Sequence, residues 1–399
     1  MSLAKKRDCT GCGACLNVCP CGAITLQHDE HGFLYPLIDD TLCIQCKMCE
    51  KVCPAIVPLV RENALQPRVY ACWHKDEQVR KSSTSGGLFS AIAESVLSRN
   101  GVVFASQMKA NLEVEYVRID AASQLLCLRG SKYTQSNTKN IFQQTERSLN
   151  EHREVFFVGC PCQVAALYSF LKGKDTTSLF SADLICHGVA SDAVFHEYID
   201  WREKQAKKKV ISFSPRDKSR GWNNLTIKIG YEDGTYRLIS SDRDPFMRAY
   251  YAGLVYRESC YHCVYSSLPR VADITLGDYF AVRDDKSYLD QLEHGVSMVL
   301  VNNKRGEKLF VDIEPFIQFK ERTLAEALET NECLSTPVPL PKNRERFFLA
   351  QKHNMRTVII RYCPMGFRSL VAKILGKNMT ELIKRVKKKY YARFRAYKI

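Results

Sequence analysis

No stretch of this 399-residue chain is apolar for long enough to cross a bilayer. The longest run without a charged side chain, Val155 to Leu171, has 17 residues and is broken by Gly159, Pro161 and Gln163, short of the roughly 20 apolar residues of a spanning helix. A secretory leader is not expected either, because the basic start, Met1 to Asp8, runs straight into cysteines where a leader has its apolar core. Acids are scarce at one end. From Pro341 to Ile399 there are 17 Lys and Arg against two acids, Glu345 and Glu381, whereas residues 1 to 340 hold 41 of each sign, so the net charge of +15 belongs to the last 59 residues. A chain that is 45% hydrophobic and 25% charged fits neither wholesale disorder nor a fibrous fold. Its length leaves room for two or three domains. These features together place it in the cytoplasm.

What the chain has in quantity is cysteine: 18 in all, nine of them in the first 53 residues. The cytoplasmic thiol pool keeps such residues reduced, so metal binding is the expected use. Cys9-x2-Cys12-x2-Cys15-x3-Cys19-Pro20 recurs as Cys43-x2-Cys46-x2-Cys49-x3-Cys53-Pro54. At that spacing three thiolates wrap one iron–sulfur cube, and the fourth ligates the other cube. The ligand sets therefore cross over. Cys9, Cys12, Cys15 and Cys53 are expected to hold one [4Fe-4S] cluster, and Cys43, Cys46, Cys49 and Cys19 the other. Two structural zincs are the competing assignment, although zinc modules usually present well-separated pairs. Cys21 falls outside the pattern and reads as a small buried hydrophobe.

Past an apparent linker, Pro58 to Pro67, short apolar strands alternate with amphipathic helices, as in Val69 to Trp73, then a helix from about Leu88 closed by Asn100-Gly101, then Val102 to Ser106. The fold class is α+β or mixed α/β: a two-cluster ferredoxin domain (1–60), a body in two parts (68–150 and 151–335) and a basic helical tail (341–399). In the body, Cys162 and Cys186 fall where strands give way to turns, and Cys260-x2-Cys263 has a metal-like spacing, so four thiols far apart in sequence suit a third cluster, a structural zinc or no metal. Ser82 to Gly87 precedes a helix and offers hydroxyls, backbone N–H groups and a positive helix end to an anion. A solvated cap is the alternative there. Arg129 to Tyr133 sets a cation and a ring where a planar cofactor could lie against them, with an ordinary surface turn as the alternative.

The order of a ferredoxin head, Lys81 to Phe89, Gly130 to Ser136, Gly159 to Leu167, Asp183 to Val189 and Ser259 to Cys263 through Ala272 to Tyr279 resembles the family of coenzyme F-420 hydrogenase/dehydrogenase beta subunits, and within it bacterial members fused to a ferredoxin and often associated with polysaccharide genes. The resemblance covers residues 1 to about 305. It implies FAD in the body, with Ser83, Ser85, Gly86 and Gly87 around the flavin phosphates and Lys132 close to the flavin. It also implies Cys162, Cys186, Cys260 and Cys263 as ligands of a third [4Fe-4S] cluster. Cys160 stands where the family commonly has threonine and is left out. His187 reads as support for Cys186 more than as a proton donor, and no catalytic residue is assigned.

Clusters move single electrons and flavin moves pairs. The leading reading is thus a cytoplasmic flavin- and iron–sulfur-dependent oxidoreductase that takes electrons from a redox partner protein or reduced carrier. Its substrate would be a small or lipid-linked molecule, in surface-polysaccharide synthesis on the strength of the resemblance. The alternatives are an electron-transfer subunit without its own substrate site and a zinc-stapled nucleic-acid-binding protein, the latter less favoured. Residues 384–398 mix eight cations with aromatic rings, a composition suited to the anionic inner face of a membrane, with a solvated basic helix or a contact to nucleic acid or protein as the alternatives.

Overall fold

The computed structural model describes residues 3–283, 285–351 and 361–362. The two halves of the cysteine repeat fold alike. Each forms a short helix, Ala14–Val18 or Met48–Lys51, and the hairpin β1 (Ile24–His28) and β2 (Leu34–Ile38) lies between them. Both helices are entered through two left-handed residues, Gly11 and Gly13 in the first half (φ 63° and 75°), Gln45 and Lys47 in the second (φ 56° and 59°). Burial explains the difference. Gln45 and Lys47 are exposed, but a Cβ on Gly11 would strike Gln135, Arg257 and Leu34, and one on Gly13 would strike Thr138.

The body is built on eleven strands: β3 (Arg68–His74), β4 (Val102–Met108), β5 (Val114–Ile119), β6 (Val155–Gly159), β7 (Leu179–Leu184), β8 (Val210–Asp217), β9 (Thr226–Tyr231), β10 (Tyr236–Ser240), β11 (Ile274–Asp278), β12 (Ser297–Val301) and β13 (Ile317–Arg322). Eight of them form one sheet in the order β13-β3-β12-β11-β7-β6-β4-β5, and β10-β9-β8 form a separate antiparallel sheet. Within the large sheet, β4, β6, β7 and β11 run parallel. Strands in such a position are covered on both faces and need no polar alternation. β6, with the sequence Val-Phe-Phe-Val-Gly, is buried at every residue. Its side chains still alternate: Phe156 and Val158 pack with the helices Leu88–Ser98 and Lys304–Ile313, whereas Val155 and Phe157 pack with Ile141–Asn150 and Pro161–Phe170.

The ferredoxin domain is fastened to the second of those faces. Ala14 and Val52 join the cluster that contains Phe104, Phe142 and Phe157. Asn17 accepts from the N–H of Phe142 (3.2 Å) and donates to Lys139 O (2.7 Å), and Thr138 Oγ1 donates to Cys12 O (3.1 Å). Pro58 to Pro67 has no regular structure, yet it is a strap more than a free linker. Arg61 pairs with buried Asp273 (3.0 Å), and Asn63 Nδ2 donates to the carbonyls of Arg270, Val271 and Ala272. Among the described residues no helix is long and apolar enough to cross a membrane. The helix Arg344–Gln351 follows Pro341, and the basic segment 384–398 lies outside the described residues.

Candidate functional site

The fourth cysteine of each repeat stands at the end of its short helix, Cys19 after Ala14–Val18 and Cys53 after Met48–Lys51. Burial lifts the Cys15 thiol far above its ordinary value, and the sulfurs of Cys12, Cys9 and Cys53 add to the rise. Cys12, pushed up to about 11 by burial, is affected by Cys9 and Cys53 in the same way. Cys53 thus lies with the amino-terminal triad. The other three thiols of the second repeat, Cys43, Cys46 and Cys49, line one small cavity with Cys19. Cys21 lines it too, half-buried, with its Sγ 3.7 Å from that of Cys19. The expected buried hydrophobe is therefore a fifth thiol at this cavity. Donor type and grouping both suit a pair of iron–sulfur cubes.

A third group of thiols gathers at the carboxyl ends of the parallel strands, the edge at which open α/β sheets bind ligands. Cys160 and Cys162 follow β6, Cys186 follows β7, and Cys260 and Cys263 come from the chain before β11. Burial raises Cys162 well above its usual range, and Cys263, Cys186, Cys260 and Cys12 raise it further. Cys12 belongs to the ferredoxin domain, so the first and third groups are electrostatic neighbours. Tyr265 is raised by burial and then by sulfurs from both groups, Cys162, Cys12, Cys263 and Cys53. Cys160, omitted by sequence reasoning, belongs to the third group: its hydrogen bond with Cys186 raises it and lowers Cys186.

Cys160, Cys162 and Cys186 also form part of the wall of a cavity of about 980 Å³. Its lining includes Tyr133, Tyr250, Tyr256, Leu276 and Leu88. Ser83, Ser85, Gly87 and Lys132 line it as well. Gly86 stands behind the wall. Its N–H donates to Ser297 Oγ (2.9 Å), and a Cβ there would press on Cys72 O. Ser83 and Ser85 spend their hydroxyl protons on the carbonyls of Val79 and Val296 (2.8 and 2.9 Å). What the cradle offers an anion is therefore the first-turn N–H groups of Leu88–Ser98, which have no partner within the helix. Lys132 Nζ donates to the carbonyls of Leu128 and Arg129 (2.7 and 3.0 Å), and burial lowers it to about 8.

One further group here, Arg216, had no signature in the sequence, and His187, read there as support for Cys186, stands beside it in the wall. Arg216 pairs through Nη1 with Asp278 (2.7 Å) at the end of β11, with Tyr133 close by, and among the described residues its buried Nη2 has no hydrogen-bond partner within 3.5 Å. His187 opens onto the cavity, and the protein around it lowers its pKa. A cavity of this size, mostly apolar with a few polar groups converging on it, is typical of cofactor sites.

Models of the beta subunit of coenzyme F420 hydrogenase/dehydrogenase match residues 69–143 (amino-terminal part) and 152–326 (carboxyl-terminal part), and a 4Fe-4S dicluster domain matches residues 8–57. One subunit of the F420H2 dehydrogenase of Methanosarcina mazei is 23% identical over 328 residues, covering 76% of this chain and 81% of that protein. An uncharacterized ferredoxin of Methanocaldococcus jannaschii is 34% identical over 79 residues, 20% of this chain and 92% of that protein. A chain in the structure of the F420-reducing [NiFe] hydrogenase complex from Methanosarcina barkeri aligns over 74% of this chain and 97% of its own length, with 16% identity and a TM-score of 0.46. With the dicluster domain at its head and both beta-subunit parts behind it, the chain belongs to the family of coenzyme F420 hydrogenase/dehydrogenase beta subunits, as a redox protein whose amino-terminal domain is of the [4Fe-4S] dicluster type.

Proposed function

We propose that the protein is a flavin- and iron–sulfur-dependent oxidoreductase in which three [4Fe-4S] clusters lead to FAD in the large cavity. The observation that carries this reading is the position of Cys162, which is influenced by Cys12 on one side and lines the cavity on the other. Cys43, Cys46, Cys49 and Cys19 hold the outer cluster; Cys9, Cys12, Cys15 and Cys53 the inner one; Cys162, Cys186, Cys260 and Cys263 the third. When bound, the clusters pass electrons singly, and flavin stores two and releases them as a hydride.

The residues around the cavity bind and orient. The amino end of Leu88–Ser98, with Ser83, Ser85 and Gly87, receives the phosphates. Arg216 Nη2 supplies a further donor to a negative group in the cavity. Tyr133 and Tyr250, stacked with centroids 4.3 Å apart, contribute to the apolar wall and help exclude water. At the outer end Cys46 is exposed beside Leu42 (51% exposed) and Ile44 (66%), an apolar rim suited to a redox partner protein that would deliver electrons there. The relatives' names make a deazaflavin the first acceptor to test, and a small or lipid-linked substrate the second.

Anaerobic purification tests the reading: about twelve irons and one FAD are expected per chain, with visible bands that bleach on reduction. An iron-replete protein that binds no flavin would reduce it to the alternative of an electron-transfer subunit.

A further inference from the structure

Arg257 is wholly buried, at 0% exposure. A guanidinium taken out of water is costly unless an anion answers it. Its partners among the described residues are nearly all neutral. Nε donates to Cys9 O (2.7 Å), and Nη1 donates to Leu34 O and Gln135 Oε1 (2.9 Å each). The Tyr35 ring lies 4.0 Å from the guanidinium carbon. The contact that can bear a negative charge is Cys9 Sγ, 3.7 Å from Nη2. Gly11 leaves room for this approach, since a Cβ there would strike Nη1. The Arg257 carbonyl in turn accepts from the N–H of Cys260, three residues on (3.0 Å).

A thiolate-ligated cube is anionic, and its potential follows its charge, its surroundings and the hydrogen bonds to its sulfurs. We infer that Arg257 is a positioning residue and the counter-charge of the inner cluster, holding that cluster's potential above its twin's so that electrons from the outer cluster settle next to the body. The inference rests on the ligand assignment of Cys9, Cys12, Cys15 and Cys53. The repeat sharpens it, because the matching turn in the second half, Gln45 to Lys47, is exposed and depends on water for its screening.

Redox titration of the whole protein, followed by electron paramagnetic resonance, tests it with Arg257→Met and Arg257→Lys; the inner cluster's signal is the one that Cys53→Ser removes. At the native midpoint of the inner cluster, Arg257→Met is expected to cut its reduced-to-oxidised ratio about tenfold, a shift of about 59 mV to more negative potential for one electron. The outer cluster stays put, and Arg257→Lys keeps most of the native value. An iron-replete Arg257→Met protein whose inner cluster titrates as native overturns the inference. If that variant fails to assemble, Gln135→Glu decides. The new carboxylate competes for the guanidinium, so the inner cluster moves negative, and an unmoved inner cluster again overturns the role. Fewer than about eight irons in the unmodified protein would instead remove the cluster assignment beneath it.

Discussion

Arg270 Nη2 lies 3.1 Å from Asp183 Oδ1, and both side chains are sealed from solvent. Asp183 also accepts from Thr275 Oγ1 (2.7 Å), and Arg270 also donates to the carbonyls of Tyr265 and Leu184 (2.7 and 3.1 Å). The pair ties the segment leading to Cys186 to the one following Cys263. Asp183→Ala would leave a buried cation without its partner, and urea unfolding should show a loss of about 3–5 kcal/mol. Replacing both, as Asp183→Leu with Arg270→Met, is expected to cost less than the single change.

The crossover makes a prediction that a local reading of the repeat would reverse. Cys53→Ser is expected to damage the cluster of Cys9, Cys12 and Cys15. Electron paramagnetic resonance of the reduced variant should keep the signal of the Cys43, Cys46, Cys49 cluster, and loss confined to that cluster would refute the pairing.

For the third thiol group, Cys162→Ser should lower iron from about twelve to about eight atoms per chain. Cys160→Thr, the residue common in the family, should leave iron unchanged, since Cys160 is a hydrogen-bonding neighbour of Cys186 and not one of the four proposed ligands. Iron analysis of the two variants side by side distinguishes ligand from neighbour.

One contact between the ferredoxin hairpin and the body depends on pH. His28 Nε2 is 3.2 Å from Asp192 Oδ2, and the hydrogen bond with Asp192 raises the histidine. A raised histidine gives stability that is full below its unfolded value, about 6.5, and lost as pH climbs through the folded one. His28 is half exposed, so the contribution is no more than about 1 kcal/mol. The pH dependence of unfolding should flatten by that amount above pH 6.5 in His28→Gln.

The parts of the fold that can be read in the sequence carry their reason locally. The cysteine repeat announces a two-cluster head because ligand spacing is a property of a few adjacent residues. β6 is visible because five buried positions in a row leave no room for polar side chains, and the helix at Leu88 is visible because Gly87 opens it. What escapes depends on distant partners. Gly86 looks like part of an anion cradle until Ser297, 211 residues away, takes its N–H. Cys160 looks dispensable until the turn after β7 brings Cys186 to it. Arg257 is one arginine among many in the sequence, and its meaning comes from Cys9, 248 residues earlier. The separate sheet of β8, β9 and β10 is legible only in part, through β9, because β10 has no fully buried residue and no strong apolar alternation.

The strap held by Arg61 and Asn63 changes the kind of carrier this ferredoxin is. Free ferredoxins work by diffusion and tethered ones by swinging between stations. Here the head is held at the strap, at Asn17, at Thr138 and at Arg257, so on the proposed reading passage from outer thiols to cavity would span a constant gap. Internal transfer should then be first order and indifferent to solvent viscosity, and added glycerol would slow only the arrival of the partner at the exposed end.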